Sequence, residues 1–189
     1  PRGTVCTNSD PEGRRRAIQQ RRRILTEEPD NRRNRIALAV LFIEDRQWLE
    51  ARQLIDRLRE QDDGLDLVVL DARWYADQGR VRVDGEFESG IDLAQRVFVE
   101  YIVGLEDDAL SVDAYLALAR FMIQRGQYGV AVRAITDARP LQDPEVLRAD
   151  KLMGDLMLTL GRSEDAADAF QKVVDAGADD ENQSYRKRL

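Results

Sequence analysis

Apolar side chains recur at three- to four-residue intervals along most of the chain. Leu38 and Phe42 form one such set, and Ile55 and Leu58 another. This is the period of helices that bury one face. No alternating pattern of the kind a half-buried strand shows extends beyond Val81–Val83. The longest unbroken apolar run, Ile36 to Ile43, is far shorter than the roughly 18 to 20 residues that a membrane-spanning helix needs. The pattern predicts an all-α protein with no membrane span.

Self-similarity at a fixed period divides these helices into units. Gly126 and Gly161 lie 35 residues apart, as do Ala131 and Ala166, and Ile135 and Phe170. A glycine, a small residue and a large apolar residue sharing one spacing point to a duplicated helix–turn–helix unit. Gly79, Gly126 and Gly161 stand where the first helix of each pair should end, since glycine is the usual residue at a helix C-terminus.

These residues resemble the tetratricopeptide repeat, a helix–turn–helix unit of about 34 residues with the pattern W-x2-L-G-x2-Y, then A-x3-F, then P. Met153-Gly154 and Met157, then Gly161, Ala166 and Phe170, fill its slots in a unit over 147–180. Tyr115, Leu118-Ala119 and Met122, then Gly126, Tyr128, Ala131 and Ile135, fill them over 112–146. A unit at about 32–65 carries Leu38-Ala39, Phe42, Trp48, Ala51 and Ile55, and Pro29-Asp30-Asn31 before it matches the end of a partial unit over 11–31 with Ala17 in the small slot. The unit at 66–111 departs from the pattern. Ala72, Tyr75 and Gly79 keep register while Asp71 takes a leucine slot, and Ala94 and Phe98 keep register only with an insertion near 80–89. Asp84-Gly85 within it is a strong turn signal, so a longer helix pair or a protruding loop is expected there. The resemblance implies a right-handed superhelical solenoid of antiparallel helix pairs, with a loose arm at 1–10 and a further or capping helix starting at 181–189. It also implies a fragment of a longer repeat array.

Small residues at Ala39, Ala72, Ala119 and Gly154, and at Ala51, Ala94, Ala131 and Ala166, allow paired helices to approach closely. Large partners such as Phe42, Tyr75, Met122, Met157, Ile55, Phe98, Ile135 and Phe170 then interdigitate. Trp48 falls in the aromatic slot of a second helix and is expected in the core. Trp74 lies outside the consensus slots, which leaves it to pack on the insertion or to face a partner.

The chemical inventory favours binding over catalysis. The chain has no histidine, one cysteine (Cys6) and three lysines, Lys151, Lys172 and Lys187, against 26 arginines. Missing histidine removes the commonest general base and metal ligand, and a single cysteine excludes an intrachain disulfide. Arginine is a poor acid–base catalyst and a good carboxylate clamp. No phosphate-binding glycine loop, C-x-x-C pair or calcium-loop pattern occurs, so no cofactor and no metal site is expected. The chain is read as no enzyme, with no small-molecule substrate.

The net charge of −7 is unevenly spread: residues 1–35 hold ten arginines against five acids, which leaves −12 for the remainder. An acidic body argues against nucleic acid as the partner. Arg14-Arg15-Arg16 and Arg21-Arg22-Arg23 lie seven residues apart, a spacing that stacks them on one side of a helix as a basic stripe. Such a stripe would take an anionic partner, or remain a solvated face pairing with Glu27 and Glu28. Arginine-rich, lysine-poor usage points to a GC-rich bacterial genome. Composition leaves localisation open; cytoplasmic is slightly favoured, with a periplasmic or secreted location following if a leader was removed.

In the resembled family the first helix of each pair lines a concave groove that holds peptides or partner domains. By register the groove positions are Arg33, Ile36, Val40, Ile43, Val69, Arg73, Leu116, Arg120, Ile123, Lys151, Asp155 and Leu158. Arg73 and Arg120 share one repeat position. This mixture suits a protein or peptide with acidic groups and a few apolar anchors. The lysine/arginine and asparagine clamp by which chaperone-binding members hold a terminal carboxylate is absent, because Ile36, Val40 and Leu70 occupy its slots. The expectation is a protein–protein interaction scaffold or adaptor. The alternatives are a homo-oligomeric scaffold joined through exposed repeat ends and an accessory domain of a larger enzyme.

Overall fold

The structure, a computed structural model, describes residues 11–177. The arm expected at 1–10, with Cys6, and the helix expected at 181–189 lie outside the described residues. The described chain is helical apart from one two-stranded hairpin and its connecting turns. It divides into two compact units at Val97/Phe98.

The first unit opens with α1 (Pro11–Glu27), α2 (Arg32–Glu44), α3 (Trp48–Arg59) and α4 (Leu65–Gln78). Asn31 starts α2 by accepting the Asn34 amide through its side chain at 2.9 Å, which satisfies one of the helix's orphan donors. Helix α1 packs on α2, α2 on α3, and α4 on both α2 and α3. The core between them joins Ile18, Leu38, Phe42, Ile43, Ile55, Leu58, Leu67 and Leu70. Ala39, Ala51 and Ala72 have no exposed surface at all; a larger side chain at any of them would hold the helices apart.

The turn between α2 and α3 is closed by two backbone bonds, Arg46 N–H to the Ile43 carbonyl at 3.0 Å and Gln47 N–H to the Phe42 carbonyl at 2.8 Å. This is the Schellman arrangement, which requires a left-handed residue just past the helix end. Arg46 supplies it at φ 59°.

Helix α4 ends differently. Gly79 leads into β1 (Arg80–Val83) and β2 (Glu86–Ser89), paired antiparallel with Val81 opposite Glu88 and Arg82 opposite Phe87. Asp84 and Gly85 both have positive φ, 48° and 95°, as a two-residue hairpin turn demands. The insertion is therefore a β-hairpin, not the longer helix pair that was one expectation. Four residues of alternating Arg-Val-Arg-Val are too short a pattern to stand out against a helical background. The hairpin closes with the Gly90 amide donating to the Gly79 carbonyl at 2.8 Å. A Cβ at Gly90 would meet the Tyr75 carbonyl oxygen at 2.2 Å, so only glycine permits this return to the helix.

Helix α5 (Gly90–Val103) carries the chain into the second unit, which holds α6 (Asp108–Gln124), α7 (Tyr128–Ala138), a 3-10 turn at Arg139–Leu141, α8 (Arg148–Thr159) and α9 (Ser163–Asp175). The strongest packing joins α6 to α7 and α8 to α9, with α7 bridging to α8. Both pairs turn through the Schellman arrangement. Gln127 N–H reaches the Met122 carbonyl and Arg162 N–H the Met157 carbonyl, each at 2.9 Å, with Gly126 and Gly161 at φ 71°. Phe98, Met122, Ile135 and Phe170 are fully buried, each worth about 1.5–3 kcal/mol relative to an exposed position. Phe98 and Phe121 meet as tilted rings 5.6 Å apart.

Candidate functional site

Within the first unit, the helix face assigned to a groove carries Arg33, Ile36, Val40, Val69 and Arg73. Arg33 is exposed on the first turn of α2, while Ile36, Val40 and Val69 are half-buried. Ile43 is 1% exposed and belongs to the core, so it is no groove residue. Arg73 is bound within the chain: it reaches Glu44 on α2 at 2.9 Å and Asp77 one turn along α4 at 3.4 Å. It ties α4 to α2 and is not simply presented to solvent.

In the second unit, α6 and α8 present Arg120, Ile123, Lys151, Asp155 and Leu158. Arg120, Asp155 and Leu158 are exposed, and Ile123 and Lys151 half-buried. The 35-residue period places Arg120 against Asp155 and Ile123 against Leu158 in equivalent positions. Leu158 leaves 42% of its surface open. Leu116, expected on the same face, is fully buried. It is packed into the core of the unit and is not presented on that face.

The six arginines of α1 form no single stripe. Three consecutive helical residues fan across about 200°, and the triplets divide accordingly. Arg14 turns to Asp45 at 3.6 Å, and Arg21 donates to the Asn34 side chain at 3.1 Å. Arg22 covers the Phe42 ring at 5.3 Å. Arg23 pairs with Glu27 at 3.5 Å, while Arg15 and Arg16 are exposed. Much of the helix's positive charge is spent docking α1 onto α2.

Three features escape the sequence pattern. Asn34 is 2% exposed and locks α1 to α2 reciprocally, donating to the Arg21 carbonyl at 2.8 Å while accepting from its guanidinium. Asp71, which stands in a leucine slot, is 2% exposed and is clamped by Arg52 at 2.6 Å and Arg59 at 3.0 Å from α3. The break from the repeat pattern at 71 was the available signal. Asp150 is held likewise, by Arg139 at 2.9 Å and Gln142 at 2.6 Å. Trp74 donates its indole N–H to the Trp48 carbonyl at 2.8 Å and lies under the Arg52 guanidinium at 5.3 Å. It is thus half-buried against α3, and Trp48 is half-buried at the core's edge.

Among the described residues no group of histidine, cysteine, aspartate or glutamate is placed to hold a metal ion, and no helix is long and apolar enough to cross a membrane. Arg32 forks onto Asp66 at 2.5 and 2.8 Å and reaches Asp62 at 2.6 Å. The Arg32 hydrogen bonds hold the Asp66 carboxyl below its ordinary value of 3.8.

No protein-family model and no curated protein matches the sequence. Solved structures do. A tetratricopeptide repeat protein from Parabacteroides merdae superposes with a TM-score of 0.54 at 19% identity, over 94% of this chain. The chain spans 64% of that protein's length. MamA gives a TM-score of 0.41 at 17% identity, covering 85% of this chain and 86% of MamA. Helix pairs with Schellman turns, the 35-residue register and the first of these likenesses together establish that the chain has a tetratricopeptide-like, all-α repeat fold.

Proposed function

We propose that the chain is a non-enzymatic protein-interaction scaffold that holds a peptide or partner domain on the exposed faces of α6 and α8. One observation carries the reading: Arg120, Asp155 and Leu158 stand exposed at repeat-equivalent and neighbouring positions of two packed helices. A mixed strip of this kind suits a partner with a carboxylate for Arg120 and an apolar anchor for Leu158. Arg73 supports the fold through Glu44 and Asp77, which makes it a poor choice for probing a partner. The absence of histidine and the scarcity of lysine and cysteine agree with a binding role.

The test is an affinity capture with the purified chain as bait, comparing it with an Arg120→Glu, Leu158→Glu variant of equal helicity. A defined protein retained by the parent and lost by the variant supports the strip. Turnover of a substrate by the purified chain, with no protein captured, would sink the reading. Retention of that same protein by the variant would move the contact off α6 and α8.

A further inference from the structure

The second unit contains a cleft of about 590 Å³ away from the strip of Arg120 and Leu158, at the ends where α6 and α8 begin. Its apolar wall includes Val112, Leu141 and Val146, and its charged lining is Asp108, Asp143 and Arg148. Val146 leaves 40% of its surface exposed. The loop forming the wall is fixed before any ligand arrives. The Val146 and Leu147 amides both donate to the Asp143 carbonyl at 3.1 Å, and Leu147 is held left-handed at φ 46°. Gln142 pins the loop from below, accepting the Ala149 amide at 2.7 Å while donating to buried Asp150. A non-glycine residue in that conformation carries a conformational cost that the surrounding bonds must offset.

The charges decide what fits. Arg148 is already engaged by Asp113, so the positive group in the lining is neutralised within the chain. Asp143 spends one oxygen on the Glu145 amide at 2.8 Å, and Asp107 spends one capping α6 at the Leu110 amide. Asp108 lines the mouth, exposed to solvent. The cleft is thus apolar within and negative at its rim. We propose that it is a second docking site, distinct from the strip on α6 and α8, for a partner protein's segment that carries a large aliphatic side chain beside arginine or lysine. The aliphatic group enters between Val112, Leu141 and Val146, and the cation meets Asp108 and Asp143.

The test uses three fluorescein-labelled peptides on the whole chain: Gly-Ser-Arg-Leu-Arg-Ser-Gly, its Glu-Leu-Glu counterpart and its Arg-Ser-Arg counterpart. The Arg-Leu-Arg peptide should bind at least about tenfold more tightly than either control, since each control lacks one of the two recognised features. Val146→Ser and Asp108→Asn, both at exposed positions that leave the core intact, should each weaken it about fivefold. Arg120→Glu should leave it unchanged, which separates this site from the strip. Equal binding of the Arg-Leu-Arg and Arg-Ser-Arg peptides would reduce the cleft to bulk charge attraction and overturn the proposal. So would an undiminished affinity in Val146→Ser, or no binding by any peptide at millimolar concentration.

Discussion

The Phe170 ring lies so close to Gly154 that a Cβ added at 154 would stand 2.3 Å from its edge. The contact joins α8 to α9, and the missing side chain at 154 makes room for the ring. Gly154→Ala should therefore cost about 1–3 kcal/mol by overpacking, read as a lower urea midpoint with an unchanged slope. Phe170→Leu introduced into that variant should recover part of the loss, because the two sites share one space.

Asp71 makes the first unit depend on charge where a repeat of this kind ordinarily uses leucine. Asp71→Ala removes the carboxylate that Arg52 and Arg59 share. Both guanidiniums keep some exposure and Arg52 retains Asp56, so water relieves part of the loss and the expected cost is about 1–3 kcal/mol. Asp71→Leu should cost less than Asp71→Ala, since it refills the buried volume. Denaturant titration of the two variants gives the order, and the reverse order would mean that the ion cluster outweighs the packing.

Acid should erase the contribution of Arg32. The Asp66 carboxyl is held below 3.8 by the hydrogen bonds from Arg32, so its stabilisation is complete above the unfolded value. That stabilisation is lost as pH falls through the lower folded value. The pair is largely exposed, and about 0.2–1 kcal/mol is expected from it. Arg32→Gln should therefore be less stable than the parent at pH 7, with the gap closing as the pH falls below about 4. Stability curves for the two proteins between pH 2 and 7 (denaturant midpoints at each step) check the sign.

Charge reversal at equivalent repeat positions should have unequal effects. Arg73→Glu sets a carboxylate against Glu44 and Asp77 and should lower the melting temperature by several degrees, on the order of 1 kcal/mol. Arg120→Glu, at an exposed position of α6, should stay within about 0.5 kcal/mol of the parent. Thermal melts of both variants decide the point.

Arg46 occupies a left-handed position that Gly126 and Gly161 fill in the other two Schellman turns. Arg46→Gly should consequently stabilise the chain, or leave it unchanged, by up to about 1 kcal/mol. A lower melting temperature would show that the Arg46 side chain contributes more than its backbone conformation costs.

The helix pairs were legible because their determinants are local and periodic. Gly126, Ala131 and Ile135 recur 35 residues later, and each plays the same physical part in both copies. The hairpin was illegible because Arg80–Val83 is too short to break a helical background, although Asp84-Gly85 marked its turn. Leu116 and Ile43 were misplaced from register alone, which cannot distinguish the flank of a helix that meets its partner from the flank that meets water. The basic stripe failed because a spacing of seven aligns Arg14 with Arg21 but fans each triplet around the axis. The cleft at Val112 and Val146 depends on a left-handed Leu147 and on the reach of Gln142, and neither follows from residue type.

The left-handed glycines of the α6–α7 and α8–α9 turns face open space, with nothing within 4 Å of where a side chain would begin at Gly126 or Gly161. In the α4–α5 connection the chain has placed an entire hairpin at the corresponding point. The turn tips are thus grafting points: foreign loops spliced in beside residues 126 or 161 should be displayed without entering the packed helix pairs.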